Sequence, residues 1–119
     1  SKHNQRVFQV QHDGDVVSKG NITAFGASGN FLNVSDRRLK KDIHTISESL
    51  DRILELRPTE FVWKENEKPD IGFIAQEVEK IIPEVVETST IAYPKLVPYL
   101  VDTIQELTKR IEELEKKVK

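Results

Sequence analysis

The sequence lacks cysteine and methionine altogether. Without cysteine the chain can form neither disulfides nor thiolate metal sites. Its histidines are scattered at positions 3, 12 and 44 without the spacing of a metal site, so we expect no metal and no cofactor. Because a natural chain starts with methionine, we interpret this one as a fragment or a processed product of a longer protein.

Long apolar runs and a strong charge of one sign are also missing. No apolar stretch approaches the roughly 20 residues that a membrane span needs, and the net charge of −2 argues against nucleic acid as the main ligand. We therefore expect partners that are neither membrane nor nucleic acid. Apolar residues make up 37% and charged residues 32% of the 119 positions, which is polar for a self-sufficient core and favours a partner subunit.

The first zone, residues 1–34, has short β-type runs separated by turn-forming residues. The runs are Val7–Val10, Val16–Val17 and Asn21–Phe25. Each run has too few apolar residues to form a core alone. We interpret the zone as the end of a β structure whose partners lie upstream or in other chains, with a flexible tail as the alternative.

The second zone, residues 35–96, alternates helix and strand signals. Thr45–Glu48 has the capping-box pattern that starts a helix, and Pro58 ends the helical spacing that follows. Thr59–Trp63 is typical of a strand. The remaining predictions are an extended Ile71–Phe73, a second helix with Ile74, Val78, Ile81 and Ile82 on one face, and a hairpin of Val85–Val86 with Ile91–Tyr93.

The third zone, residues 97–119, carries a heptad pattern. Its apolar residues are spaced alternately by three and four, which predicts a helix with a coiled-coil seam. The predicted interface residues are Val97, Leu100, Ile104, Leu107, Ile111, Leu114 and Val118. An amphipathic helix packed on its own domain is the alternative. Isoleucine at a with leucine at d favours two strands, so the heptads alone leave dimer and trimer open.

These zones together predict an α+β fold. We expect a small mixed domain of short strands and helices, which ends in a long helix and follows a β-type N-terminal segment.

Ser35 and Lys40 are the one plausible nucleophile and base close together near a zone boundary. A serine hydroxyl needs a base to take its proton, and a lysine serves as that base only when neutral. Nearby like charges and burial both favour a neutral lysine, and Arg37, Arg38 and Lys41 supply the charges. The two side chains would lie about 140° apart on a helix, so we expect Ser35 to precede the helix, with Val34–Ser35 as the scissile bond. The bland alternative is that Ser35 caps a helix.

Four ordered blocks of the sequence resemble a known family. They are residues 35–43, 54–64, 70–79 and 82–86. The blocks are similar to those of the intramolecular chaperone domain of phage tailspikes, endosialidases and neck-appendage fibres, also called the S74 peptidase family. The resemblance covers residues 35–119, and Ser35 and Lys40 match the family's nucleophile and its lysine partner.

The resemblance implies a trimeric, self-cleaving chaperone. Three copies would associate through their C-terminal helices as a parallel coiled coil and align an upstream triple-stranded β stalk. Cleavage before Ser35 would then release the chaperone, with the chain's own stalk as its substrate. This implies assembly in the host cytoplasm and a parent protein in the virion tail or appendage.

Three other functions stay open beside the chaperone. One is an assembly module without catalysis. Another is the self-processing domain of a membrane-bound transcription factor, since the family includes the myelin regulatory factors. The third is a receptor- or sugar-binding tip, which the few aromatic residues disfavour.

Overall fold

The computed structural model describes residues 8–14, 16–18, 22 and 32–118, and the chain divides into two compact units. The first unit is Ser1–Asp36 and the second is Arg37–Lys119. The predicted zone boundaries after residues 34 and 96 stay predictions.

The first unit contains an antiparallel hairpin of β1 (Phe8–Val10) and β2 (Val16–Ser18), with Val10 opposite Val16. In the turn between them, Gly14 has a φ of +90°, a conformation that glycine adopts without steric cost. Its N–H donates to the carbonyl of Gln11 at 3.0 Å. The first two predicted β runs thus pair with each other. The third, Asn21–Phe25, lies outside the described residues apart from Ile22, which has no regular structure.

The second unit is a mixed α/β domain of short elements that ends in a long helix, as the sequence predicts. Its strands and α-helices are α1 (Leu50–Glu55), β3 (Thr59–Val62), β4 (Pro69–Gly72), α2 (Ala75–Ile81), β5 (Val86–Glu87), β6 (Thr90–Ile91) and α3 (Leu96–Val118). Three short 3-10 helices join them: Arg37–Leu39, Pro83–Val85 and Tyr93–Lys95.

The start of α1 differs from the prediction. Residues 40–49 have no regular helix or strand, so the predicted capping box at Thr45–Glu48 is wrong, and α1 begins at Leu50. Glu48 has a φ of 62°, which a helix cannot continue through. The Ser49 N–H donates to Oδ2 of Asp102 in α3 at 3.1 Å. A tertiary contact therefore satisfies a backbone N–H at the start of α1, a role that the sequence predicted for a local side chain.

Two hairpins follow the predicted strands. In β3 and β4, Phe61 lies opposite Asp70. The β5–β6 hairpin turns through Thr88 and Ser89, which have φ values of 46° and 61°. Two positive φ values match the right-handed twist of a tight hairpin. The predicted hairpin is confirmed, although its strands are shorter than expected.

The core lies where α1, α2, β5 and the beginning of α3 meet. Its apolar residues cluster from elements far apart in the chain and are Val78, Ile82, Val85 and Leu96. Val78 and Ile82 confirm the predicted buried face of α2, and Leu50 is buried as well. Few apolar side chains of the described residues are fully buried, so this is a small core.

Only the first part of α3 packs on the domain. Leu96 and Thr103 are buried, and Tyr99 and Asp102 are half-buried. Every residue from Leu107 to Val118 is exposed. This exposed part is about 17 Å long at 1.5 Å per residue. It makes up more than half of the predicted coiled-coil segment, residues 97–119, and extends beyond the core.

Candidate functional site

The predicted scissile bond lies in an irregular segment of the first unit. Residues 32–36 have neither helix nor strand structure. The side chain of Val34 is 80% exposed and Ser35 is exposed too. A side chain outside a helix can fold back towards the preceding carbonyl, which is the approach that intramolecular attack on Val34 requires.

The predicted base belongs to the second unit. Lys40 follows the 3-10 helix Arg37–Leu39, and its N–H donates to the carbonyl of Arg37 at 3.1 Å. Lys40 and the basic side chains around it are exposed. Asp42 has a φ of 54°, a left-handed conformation that stops any helical continuation. The pairing of Ser35 with Lys40 across the two units stays a prediction.

The predicted seam of α3 is exposed along its whole length. The least exposed of its residues is Leu107 at 40% and the most exposed is Val118 at 86%. The domain instead covers heptad positions c and g, occupied by Tyr99, Leu96 and Thr103. That face lies about 110° around the helix from the seam, at 100° per residue. Packing within the chain therefore leaves the seam open, which disfavours the alternative that α3 lays its seam on its own domain.

A polar network joins α3 to the rest of the domain. Tyr99 donates its hydroxyl proton to Oε2 of Glu84 at 2.7 Å, and Nη2 of Arg52 donates to the same oxygen at 2.6 Å. The Arg52 guanidinium also lies 5.3 Å from the centre of the Tyr99 ring. The Arg52 hydrogen bond, followed by that of Tyr99, lowers the pKa of Glu84 to about 2.

Sequence reasoning did not find this network. Arg52 and Glu84 are 32 residues apart, and Glu84 and Tyr99 are 15 apart. No local spacing rule links residues at such separations. Nor does the sequence predict the contact of Ser49 with Asp102, for the same reason.

Polar residues in the family-like blocks make structural contacts. Arg57 pairs with Glu77 through Nη2 and Oε2 at 2.5 Å, and that pairing lowers the pKa of the Glu77 carboxyl. The Trp63 indole N–H donates to Asp70 at 3.1 Å. These contacts join neighbouring blocks and give both carboxylates a role in the fold.

Gly72 also has a structural role. A Cβ built on Gly72 would come within 2.6 Å of the Tyr93 hydroxyl. That hydroxyl accepts the N–H of Phe73 at 2.9 Å. Because the Tyr93 side chain comes so close, no side chain larger than the hydrogen of glycine fits at position 72.

The described residues contain no group of three or more histidine, cysteine or acidic side chains that could hold a metal ion. Among the helices described, none is long and apolar enough to cross a membrane.

Residues 35–87 match the model of a family described as chaperone of endosialidase, or peptidase S74. The match begins at the predicted nucleophile, includes the β3–β4 hairpin and ends with β5. Over these residues, the chain matches the chaperone domain of this family.

The relatives of the chain include tail fibre proteins. It is 28% identical over 130 residues to the long tail fiber protein Gp37 of Enterobacteria phage K3. That alignment covers 98% of this chain and 10% of the fibre protein. The corresponding protein of Enterobacteria phage T2 is 28% identical over 127 residues, 95% of this chain and 9% of that protein. A probable tail fiber protein of Escherichia phage Phieco32 is 33% identical over 137 residues, 91% and 19% of the two chains. The chain thus spans about a tenth to a fifth of these proteins.

Proposed function

We propose that this chain is the assembly chaperone of a phage tail fibre. Three copies associate through α3, bring the β segments that precede Ser35 into register, and then cut their own backbone between Val34 and Ser35. Cleavage would take place in the host cytoplasm during virion assembly. The fibre would remain in the virion tail, and the cleaved domain would be released.

The open seam of α3 is the observation that carries this proposal. A helix with a continuous apolar stripe and charged remaining faces is stable when that stripe is buried against another helix. The domain of the same chain covers a different face of α3. We therefore infer that further copies of α3 bury the apolar stripe. The tail fibre relatives support three copies, where the heptads alone would also allow two.

A helical trimer helps a β fibre to form because the two have different folding kinetics. Intertwined β chains need many contacts between distant residues, and their nucleation is slow. Helices associate through local contacts and raise the effective concentration of the attached β segments. Once the fibre has assembled, cleavage removes its covalent link to the chaperone, which would otherwise help the fibre to unfold. The fibre then persists because its unfolding is slow.

The proposed cleavage uses Ser35 as nucleophile and Lys40 as base. Neutral Nζ of Lys40 takes the proton of Ser35 Oγ, which attacks the carbonyl carbon of Val34. The tetrahedral adduct breaks its C–N bond, and the nitrogen of Ser35 leaves as an amine after receiving the proton. Water then hydrolyses the ester between Val34 and Ser35 Oγ. The products are a Val34 carboxylate and a free Ser35 amino terminus.

Replacing the nucleophile tests the chemistry. We expect Ser35→Ala to give a single uncut band on a denaturing gel, with trimerisation retained. Ser35→Cys keeps a nucleophile at the same position and should still cut, while Ser47→Ala should cut like the wild type. The amino-terminal sequence of the released piece should start at Ser35. Full cleavage of Ser35→Ala would contradict the assigned nucleophile.

Replacing the base tests its identity separately. We expect Lys40→Ala to slow cleavage by about 100-fold or more, as loss of a general base does. Lys41→Ala removes a neighbouring positive charge of the same kind and should slow cleavage far less. Equal rates for the two variants would show that charge, rather than proton transfer at position 40, matters.

An assembly module without catalysis explains the open seam equally well. Mass spectrometry separates it from the chaperone proposal. A trimer whose chains stay intact from residue 1 to 119 for days would support the module.

A further inference from the structure

The flanks of the α3 seam differ between the part of the helix that packs on the domain and the part that extends beyond it. Heptad positions e and g border the seam on its two sides. Beside the domain the g positions are Leu96 and Thr103, which the same chain buries. Beyond the domain they are Arg110 and Lys117, which are exposed. The extended part of α3 therefore has a g flank that another copy can reach.

The two flanks of this extended part carry different charges. Both of its g positions are basic, whereas its e positions are Thr108 and Glu115. In parallel helices each g position lies beside an e position of the neighbour, so basic side chains meet neutral or acidic ones. In antiparallel helices g would lie beside g, which brings the basic flanks together. The charges therefore fit a second copy of the same helix in parallel orientation.

Arg110 and Glu115 form the one oppositely charged pair of this kind in residues 96–118. A g residue of one helix lies beside the e residue five positions later on its parallel neighbour. The pairs with this separation are Leu96 with Val101, Thr103 with Thr108, and Arg110 with Glu115. A shift by one heptad that places Arg110 beside Thr108 loses the ion pair, so the charged pair favours helices in register.

Arg110 and Glu115 cannot pair within one chain. Five residues at 100° each place them about 140° apart around α3, on opposite flanks of the seam. Within its own chain, Arg110 donates from Nε to Oε1 of Glu106 at 3.0 Å. Those two side chains are 59% and 42% exposed, and an exposed pair four residues apart is weak. The bond uses one of the five guanidinium N–H donors, so other donors remain for a second carboxylate.

We propose that Arg110 of each copy forms an ion pair with Glu115 of the next copy, and that this pair fixes the register of the associated helices. The pair rests on the proposed assembly through α3. The apolar seam repeats every seven residues and so distinguishes poorly between registers one heptad apart. A charged pair at a single level does distinguish them. Register matters because a slip of one heptad would offset the attached chains by about 10 Å.

Charge reversal tests the pair in full-length chains. The parent and all variants carry Ser35→Ala, so that cleavage cannot change the associating species. Arg110→Glu and Glu115→Arg should each weaken association by about 10-fold at low salt, and the double variant should recover most of the loss. Lys109→Glu is the matched control, because it makes the same charge change at an f position and should associate like the parent. Sedimentation equilibrium measures each association constant.

Mixing the two single variants shows whether the pair lies between chains. A copy with Arg110→Glu has acidic residues on both flanks at this level, and a copy with Glu115→Arg has basic ones. Mixed trimers therefore regain ion pairs wherever unlike copies meet, and the mixture should associate more tightly than either variant alone. A change confined to one chain, such as loss of the bond between Arg110 and Glu106, cannot be repaired by mixing.

The oligomeric state of the parent separates this pair from the proposed assembly. A parent trimer whose single variants associate as tightly as the parent, or whose mixed variants gain nothing, overturns the ion pair and leaves the assembly in place. Effects that simply add in the double variant would also overturn the pair. A parent that sediments as a monomer overturns the pair together with the proposed assembly.

Discussion

Glu84 links α3 to two other elements through polar contacts. It accepts hydrogen bonds from Arg52 of α1 and Tyr99 of α3, and it lies itself in the 3-10 helix Pro83–Val85. One carboxylate thus connects three elements. The two donors favour its charged form, which is why its pKa falls from 4.5 to about 2.

Glu84→Gln should destabilise the domain at neutral pH. A lowered carboxyl pKa contributes stability above about pH 4.5, and that contribution is lost as the pH falls towards 2. Because the side chains of Arg52 and Glu84 are 38% and 46% exposed, solvent screening reduces the effect to about 1 kcal/mol. Urea unfolding at several pH values should show the variant's deficit shrinking below pH 4.5.

The control for this experiment is Glu79→Gln, which removes an exposed carboxylate from α2. It should leave stability within about 0.5 kcal/mol of the wild type, as surface changes usually do. A deficit of Glu84→Gln that stays constant down to pH 2 would contradict the role of its charge.

At the scale of elements, α3 has one face that the domain covers and another that is exposed. Leu96, Tyr99 and Thr103 fasten it to the domain, while the exposed seam remains available to other copies. The separation of the faces means that a change in the seam need not damage the domain.

Ile104→Asp should therefore prevent association and leave the monomer folded. Ile104 is a seam residue that is 62% exposed in the single chain, so a charge there is harmful mainly when helices meet. Gln105→Asp places the same carboxylate on the next residue, outside the seam. In analytical ultracentrifugation the first variant should sediment as a monomer and the second as a trimer. Trimers from both variants would contradict the seam.

At the scale of the whole molecule, the domain has a small core, and α3 has a long exposed apolar stripe. The described residues bury little beyond Leu50 and the cluster of Val78, Ile82, Val85 and Leu96. A domain of this kind gains stability by association, since burial between copies adds to burial within one.

The thermal midpoint of the wild type should consequently rise with protein concentration. Unfolding of an associated chain is coupled to dissociation, so mass action makes Tm depend on concentration. Scans by circular dichroism over a 100-fold range of concentration measure this, and Ile104→Asp should show a constant midpoint. A wild-type Tm that does not move with concentration would mean that the domain is stable alone.

The sequence by itself determined the features that local rules govern. The long final helix follows from its heptads, strand β3 from its alternating apolar residues, and the end of α2 from the proline at position 83. The family follows from four ordered blocks. Each of these signals is carried by residues close together in the chain.

Tertiary structure alone decided how α3 meets the domain. The start of α1 at Leu50, the carboxylate of Asp102 beneath it and the network around Glu84 depend on residues that are 15 to 53 positions apart. The same packing determines which face of α3 is covered, and it leaves the seam exposed. Spacing in a sequence describes neighbours along one element, whereas the free energy of burial and hydrogen bonding between elements fixes how those elements meet.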